Sequence, residues 1–430
     1  MVSGGDLKNL AINGGSKQIK KRFKRHNPIA KEEFKATRKV LKSGLLSQFL
    51  GAWDKDFYGG PQVLQFEKNC SKYFGVKHAI SVNSWTSGLI AAVGAIGIEP
   101  GDEVIVSPWT MSATALAILH WNGIPVFADI DKQNFCIDPS SIRNCITPRT
   151  KAIIAVDIFG QSADMISIMQ IAHEFNLKVI SDSAQSPGAT YEGKKAGTVA
   201  HIGGISLNYH KHIHTGEGGV LFTNDDELAI RMQLIRNHAE SVIEGLEYKN
   251  LSNMLGFNFR LGEIEAAIGI EQLKKLDEII NRKLTLANQL TDELKGLYGL
   301  ITPKIQLDLR NVYYTYPLIL DTQLINVPRS KIVSALKAEG VPNLAEGYQN
   351  LHLLPLFQEK IAYGRAGFPW SLQELGHQTN YSLGICPTAE ELHRETYFGF
   401  GISRLDLKGK DIKLIGSAFR KVWSNLDELE

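Results

Sequence analysis

The chain carries almost no excess charge of either sign: 47 Lys and Arg against 45 Asp and Glu leave +2 over 430 residues with His neutral. That balance gives no general electrostatic footprint for nucleic acid or for an anionic membrane surface as partner. Cysteine is scarce. Cys70, Cys136, Cys145 and Cys386 are widely spaced and form no CxxC pair, which argues against a disulfide framework or a zinc ribbon and fits free thiols in a reducing compartment. No apolar run approaches the roughly 18 residues of a membrane span. The opening MVSGGDLKNL lacks the apolar centre of a secretory leader, so the cytoplasm is the expected location. No GxGxxG opens the first strand–helix–strand unit, which argues against a nicotinamide-dependent oxidoreductase. Internal repeats and low-complexity segments are absent.

What is present is an ordinary globular composition, 43% hydrophobic and 21% charged, long enough for one large and one smaller domain. Residues 1–26 are polar and read as an arm. Its basic cluster Lys20–Arg25 is either solvated or placed beside an anionic substrate. Helical spacing follows at 29–41 and 63–74, separated by a Gly- and aromatic-rich loop at 47–61. From His78 short apolar runs at 78–82, 104–106, 125–127, 152–156, 177–180 and 220–223 are interleaved with helical patterns at 89–96, 113–121, 165–175 and 226–237. Such alternation predicts a mainly parallel sheet covered by helices, with ligands at the carboxyl ends of the strands. Residues 263–294 read as one long helix, broken near Asp277, bridging to a smaller α+β domain. In that domain 312–320 is β-like, 330–339 and 411–426 are helical, and 346–380 is irregular.

Three stretches carry chemistry. Lys211 lies in SLNYHKHIHTGEGG (Ser206–Gly219), beside two imidazoles and free of close carboxylates. Desolvation and neighbouring cations lower an ammonium pKa, and the neutral amine attacks carbonyls, so the segment reads as a Schiff-base lysine. His210, His212 and His214 alternate and on an extended strand would share one face, a zinc-like arrangement. No Cys or carboxylate stands near to complete it, and flanking a cofactor pocket is the favoured role. The run Asn83–Gly88, placed between a strand and a helix, offers backbone N–H groups and a dipole end to an anion such as phosphate, although Ser and Thr there also serve as simple caps. Asp182 closes another apolar run, as a cofactor ligand or as a helix cap.

Together these motifs resemble the DegT/DnrJ/StrS group of sugar aminotransferases. The matching residues are Ser206 five positions before Lys211, Gly216–Gly219 after it, Asp182-Ser183-Ala184-Gln185, Pro100–Ile105 and Gly256–Arg260. The resemblance covers nearly the whole chain. It implies an α/β fold of the pyridoxal-phosphate-dependent transferase type I. A large domain (1–270) would hold a mixed, mainly parallel seven-stranded sheet sandwiched by helices. A linking helix (271–294) would lead to a small α+β domain (295–430). It implies pyridoxal 5'-phosphate on Lys211, with pyridoxamine 5'-phosphate as intermediate, and Lys211 moving protons. Asp182 would meet the pyridine nitrogen and Gln185 the phenolic oxygen. Thr86, Ser206 and the backbone at Trp85 would hold the phosphate. Asn258 would reach that phosphate from a partner subunit, in a homodimer with shared active sites. Met111 stands where the family stacks an aromatic ring on the cofactor, so its thioether or Trp109 would stack instead; Trp109 as a core aromatic is the alternative. Further substrate candidates are His210, His212 and Arg260. Trp85 stands in place of a frequent glycine and Asp157 in place of a frequent histidine. The reaction implied is amination of a keto sugar, in most relatives nucleotide-linked, with glutamate as the usual donor, in polysaccharide or natural-product sugar synthesis. The opening Leu10–Gly15 also resembles branches acting on carbocycles, which keeps a keto-cyclitol open. Relatives with histidine for the lysine are dehydratases, and Lys211 argues for transamination. A non-enzymatic binding or regulatory protein of this fold is a further alternative, which a cofactor absorbance band lost on adding glutamate would reject.

Overall fold

The computed structural model describes residues 9–304, 308–373 and 378–429. The first eight residues of the expected arm, and residues 305–307, 374–377 and 430 of the expected C-terminal domain, lie outside the described residues.

Seven strands form the main sheet: β1 (His78–Val82), β2 (Glu103–Val106), β3 (Ile124–Phe127), β4 (Thr150–Val156), β5 (Lys178–Asp182), β6 (Ile202–Ser206) and β7 (Gly219–Thr223). Their spatial order is β1-β7-β6-β5-β4-β2-β3. β7 is antiparallel to both neighbours, and the remaining pairings are parallel. Every strand except β7 therefore ends at the same rim. β2, β6 and β7 are buried along their whole length, and β2 and β7 accordingly read as short apolar runs instead of alternating patterns. β6 escapes the hydropathy pattern because two of its five residues are glycines. A Cβ on Gly204 would stand 2.2 Å from the Val220 carbonyl oxygen and 2.3 Å from the Trp85 ring; close packing of the sheet on the next helix demands the residue that weakens the strand signal.

The helix Glu263–Leu294 runs unbroken for 32 residues. The expected break at Asp277 does not occur: the buried stripe Leu273, Leu276, Ile280, Ala287, Leu290, Leu294 continues through it, and no Pro, Gly pair or inserted side chain interrupts the ladder there. One half packs on the helices Lys31–Ser43 and Pro61–Phe74, the other on Gly409–Trp423. Beyond it lies a four-stranded antiparallel sheet of Leu300–Ile301, Tyr316–Leu320, Tyr397–Phe400 and Leu344–Glu346.

Two segments are more ordered than their sequences imply. The irregular stretch after 346 packs Leu351, Phe357, Trp370 and Tyr381 into the apolar cluster under the main sheet, and the Tyr381 hydroxyl donates to the Pro125 carbonyl at 2.6 Å. The basic end of the arm is laced to the C-terminal part. Arg25 bridges to Leu405, the His26 amide donates to the Arg404 carbonyl and the Asp406 amide to the Lys24 carbonyl, both at 2.9 Å, and Lys21 pairs with Asp411.

Candidate active site

A cavity of about 600 Å³ opens at the rim where the strands end, between the main sheet and the small one. Lys211 enters it from the turn joining β6 and β7. That turn is closed by the Leu207 amide on the Gly218 carbonyl at 2.9 Å and the Thr215 amide on the Leu207 carbonyl at 3.0 Å. Residues 209–213 are turns and bends, so the three histidines do not share one strand face, and the geometry that suggested zinc is not formed. Among the described residues no group of three His, Cys, Asp or Glu converges on a metal-sized point.

Lys211 is buried. Its ammonium pKa is lowered to about 8: burial is the main cause, Asp182 opposes it and Arg404 adds to it. Its Nζ lies 4.6 Å from the centre of the Tyr314 ring, a cation–π contact for the charged form. A large fraction of the amine is thus neutral near pH 8, as attack on an aldehyde requires. In cofactor-free protein the rate of carbonyl capture by Lys211 is expected to rise with pH and level off above about 8; stopped-flow absorbance at a pH series checks it. A plateau reached only above pH 10 would mean an unshifted lysine.

Asp182 faces Lys211 from the end of β5 and is buried. Its Oδ1 accepts from the Trp85 indole at 2.6 Å and from the Ala184 amide at 3.2 Å; its Oδ2 accepts from Thr114 Oγ1 at 2.8 Å. Burial pushes the carboxyl pKa upward, while these donors and Lys211 pull it back. Sequence reasoning assigned the backbone at Trp85 to the phosphate. Its side chain turns out to orient the carboxylate, and Thr114, inside an apolar helix (Ser112–Leu119), was missed; a single hydroxyl facing into such a helix gives no local signal.

The helix Trp85–Ala95 begins at the cavity. Ser84 caps it by accepting from the Ser87 amide at 3.0 Å, and Ser84, Trp85 and Thr86 line the wall with the first-turn amides that have no partner within a helix. Ser84 is thus a helix cap, as one reading of this turn has it, and the turn lies at the cavity wall. Ser206, at the end of β6, lines the same wall. Gln185 also lines it, and its Oε1 accepts from the Phe159 amide at 3.0 Å, with Tyr348 as a further partner. Met111 lines it too and is 64% exposed, leaving its thioether free to lie on a ring.

Four sequence candidates sit elsewhere. Trp109 is fully buried behind the cavity, 5.5 Å from the Tyr348 ring and 5.3 Å from Tyr397; it is a core aromatic and does not line the site. His212 is also fully buried, with Nε2 2.7 Å from the Val312 carbonyl and a pKa lowered to about 3, chiefly by burial. It anchors the lysine turn and cannot meet a substrate. Arg260 turns to Asn237, Nε to Oδ1 at 2.9 Å, and the exposed Asn258 does not line this chain's cavity. His210 does line it, its pKa lowered to about 4 by burial and by Lys211. Sequence reasoning missed Tyr314, Tyr348 and Arg404, which the small sheet and its neighbours supply from far along the chain.

The donor set suits pyridoxal phosphate: a buried carboxylate facing an amine of lowered pKa, a helix N-terminus with Thr and Ser beside it, and an amide side chain between. Residues 29–391 match the model of the DegT/DnrJ/EryC1/StrS aminotransferase family. The spore coat polysaccharide biosynthesis protein SpsC of Bacillus subtilis is 36% identical over 369 residues, 84% of this chain and 92% of its own. GDP-perosamine synthase of Caulobacter vibrioides is 37% identical over 297 residues, 69% and 78% of the two chains. The crystal structure of S. venezuelae DesV in complex with a ketimine intermediate superposes with a TM-score of 0.76 at 27% identity, covering 92% of this chain and 95% of that one. With Lys211 and Asp182 facing each other where the sheet ends, and with matches of this extent, the chain belongs to the DegT/DnrJ/EryC1/StrS aminotransferase family, a group of pyridoxal-phosphate-dependent enzymes.

Proposed function

We propose that this enzyme carries pyridoxal phosphate on Lys211 and transfers an amino group from an amino acid, glutamate first among the candidates, to the ketone of a nucleotide-linked sugar. The observation that carries the reading is the buried Lys211 of lowered pKa facing Asp182. When bound, the cofactor supplies an aldehyde and an electron-withdrawing ring. Asp182 would hold the ring nitrogen and Gln185 the phenolic oxygen, while Thr86, Ser206 and the amides at Trp85 would hold the phosphate. Met111 would cover one face of the ring. Lys211, released from the cofactor by the donor, would move the proton between donor carbon and cofactor. The aromatic wall of Tyr314, Tyr348 and Tyr397 would limit water at the reacting carbon. His210, neutral at working pH, can hydrogen-bond a sugar hydroxyl without competing for a carboxylate.

Asn258 would act from a second copy of the chain. Its exposure, and the exposed Leu46, Leu50, Leu251 and Leu255 on neighbouring segments, support a homodimer. No helix among the described residues is long and apolar enough to cross a membrane, in keeping with soluble substrates.

Borohydride reduction followed by peptide mass spectrometry should find the cofactor fixed to Lys211, and a panel of keto sugars with glutamate should show amine formation. Turnover of a keto-cyclitol alone would replace the sugar by a carbocycle. Among the described residues Arg404 is the one arginine lining the cavity, its Nη2 3.3 Å from the Tyr314 hydroxyl, and it suits a carboxylate of the donor. Arg404→Gln is expected to raise the donor's KM by roughly 10- to 100-fold, the worth of a charge-assisted hydrogen bond, and to leave the sugar's KM near its starting value. Steady-state kinetics with each substrate varied in turn decides it; a rise confined to the sugar's KM would move Arg404 to the other substrate.

A further inference from the structure

Asp157 and Ser183, at the ends of two neighbouring strands, touch in the fold. β4 and β5 pair with Val156 opposite Asp182, so the next residue of each strand meets its counterpart. Asp157 Oδ2 accepts from Ser183 Oγ at 2.5 Å and from Ser181 Oγ at 3.0 Å, and Oδ1 accepts from the Ala163 amide at 2.8 Å. The Asp157 amide in turn donates to the Asp182 carbonyl at 2.9 Å. Asp157 has no exposed surface, and none of these partners is a cation. A buried carboxylate neutralised only by hydroxyls and an amide burdens the fold, and a neutral side chain of the same shape would meet the packing need. The titratable groups that face it are Asp182 on β5 and the Cys136 thiol, itself pushed upward by burial and by Asp157.

We infer that Asp157 is a positioning residue for the cofactor's ring nitrogen: its negative charge, held by Ser181 and Ser183, acts on the site through Asp182 to keep the proton on that nitrogen. Burial raises the Asp157 carboxyl to about 6, against the pull of the two serines and the Ala163 amide, so it remains mostly ionised at neutral pH. A second negative charge behind Asp182 makes the ring nitrogen a stronger base, and the protonated ring is the better electron acceptor. The inference rests on the cofactor assignment above but not on the identity of either substrate.

The test uses pyridoxal phosphate labelled with 15N in the ring, bound to the full-length protein with neither donor nor sugar present. In Asp157→Asn the ring nitrogen is expected to lose its proton at a pH about one unit lower than in the parent, as a unit charge several ångströms away in a medium of intermediate dielectric implies. Ser183→Ala, which removes one donor and favours neutral Asp157, should shift it less and in the same direction. An unchanged ring titration in Asp157→Asn overturns the inference, and so does an unchanged Ser183→Ala if Asp157→Asn fails to fold. A parent protein that binds no labelled cofactor would sink the cofactor reading instead. Cofactor-free protein offers an independent readout. An acid whose folded pKa is raised stabilises fully below its unfolded pKa and loses that share as pH rises through the folded one. The parent's melting temperature should therefore drop, relative to that of Asp157→Asn, between about pH 4 and about pH 6; parallel melting curves would also count against an ionised Asp157. In turnover the asparagine variant should lose kcat with the donor's KM unchanged.

Discussion

Lys211→Ala is expected to abolish measurable transamination while leaving the protein folded. The side chain is buried and its amine is partly neutral because burial disfavours the ammonium. Removing it deletes both the nucleophile that carries the cofactor and the base that moves the proton. A positioned proton-transfer group alone contributes roughly 10²- to 10⁴-fold, and the loss of covalent attachment adds to that. The helix N-terminus, Thr86, Ser206 and Asp182 all remain, so cofactor should still bind, without a borohydride-fixed adduct. A small primary amine added to the variant should restore part of the rate by taking over the proton transfer. Near-parental turnover without added amine would mean that another group does the chemistry. Folding should survive, since Lys211 Nζ makes only a ring contact with Tyr314 and Asp182, on losing this cation, keeps its bonds from Trp85, Thr114 and Ala184.

Asp182→Asn is expected to lower kcat by roughly 10²- to 10³-fold, the scale seen when one preorganised electrostatic contact to developing charge is removed. An amide cannot hold a proton on the ring nitrogen as a carboxylate does. It also has one acceptor oxygen in place of two, so with the Trp85 indole kept on that oxygen the Thr114 hydroxyl loses the acceptor it now has. One lost buried bond costs about 1–3 kcal/mol, visible as a lower melting temperature. Asp182→Glu is the control: it keeps the charge and misplaces it. Kinetics together with cofactor binding separate the two effects. A variant that loses stability but keeps kcat would make Asp182 a structural residue, and the reading of the site would go with it.

Much of the fold was legible because hydropathy and period agree in the strand–helix half. His78–Val82 emerges with the boundaries expected, and the helix 263–294 runs over the expected residues, although its expected break was absent. β6 was hidden by Gly203 and Gly204, residues that the sheet needs there for close packing and that a strand pattern counts against. The site was legible where its residues sit in short contiguous motifs at or just beyond strand ends: Lys211, Asp182, Gln185, Ser206 and Thr86 all line the cavity. It was not legible where a side chain comes from an element far along the chain, as with Arg404 and Tyr348, or where a residue type fits two environments equally well. Trp109 and His212 are such cases. An aromatic beside a Thr and an imaging of histidine beside the lysine look alike on paper, and only burial separates a wall from a core.

The amino-acid order by itself determined the chemistry available: a lysine among histidines after a serine, a carboxylate at the end of an apolar run, a hydroxyl-rich turn before a helix. Those are properties of short segments, set by local backbone preference and side-chain type. Tertiary structure decided which groups share one water-poor space. The parallel pairing of β4, β5 and β6 brings Asp157, Asp182 and Ser206 to one rim, and the small sheet places Tyr314 and Arg404 opposite. Charge interactions depend on distance and burial, neither of which is written in sequence separation.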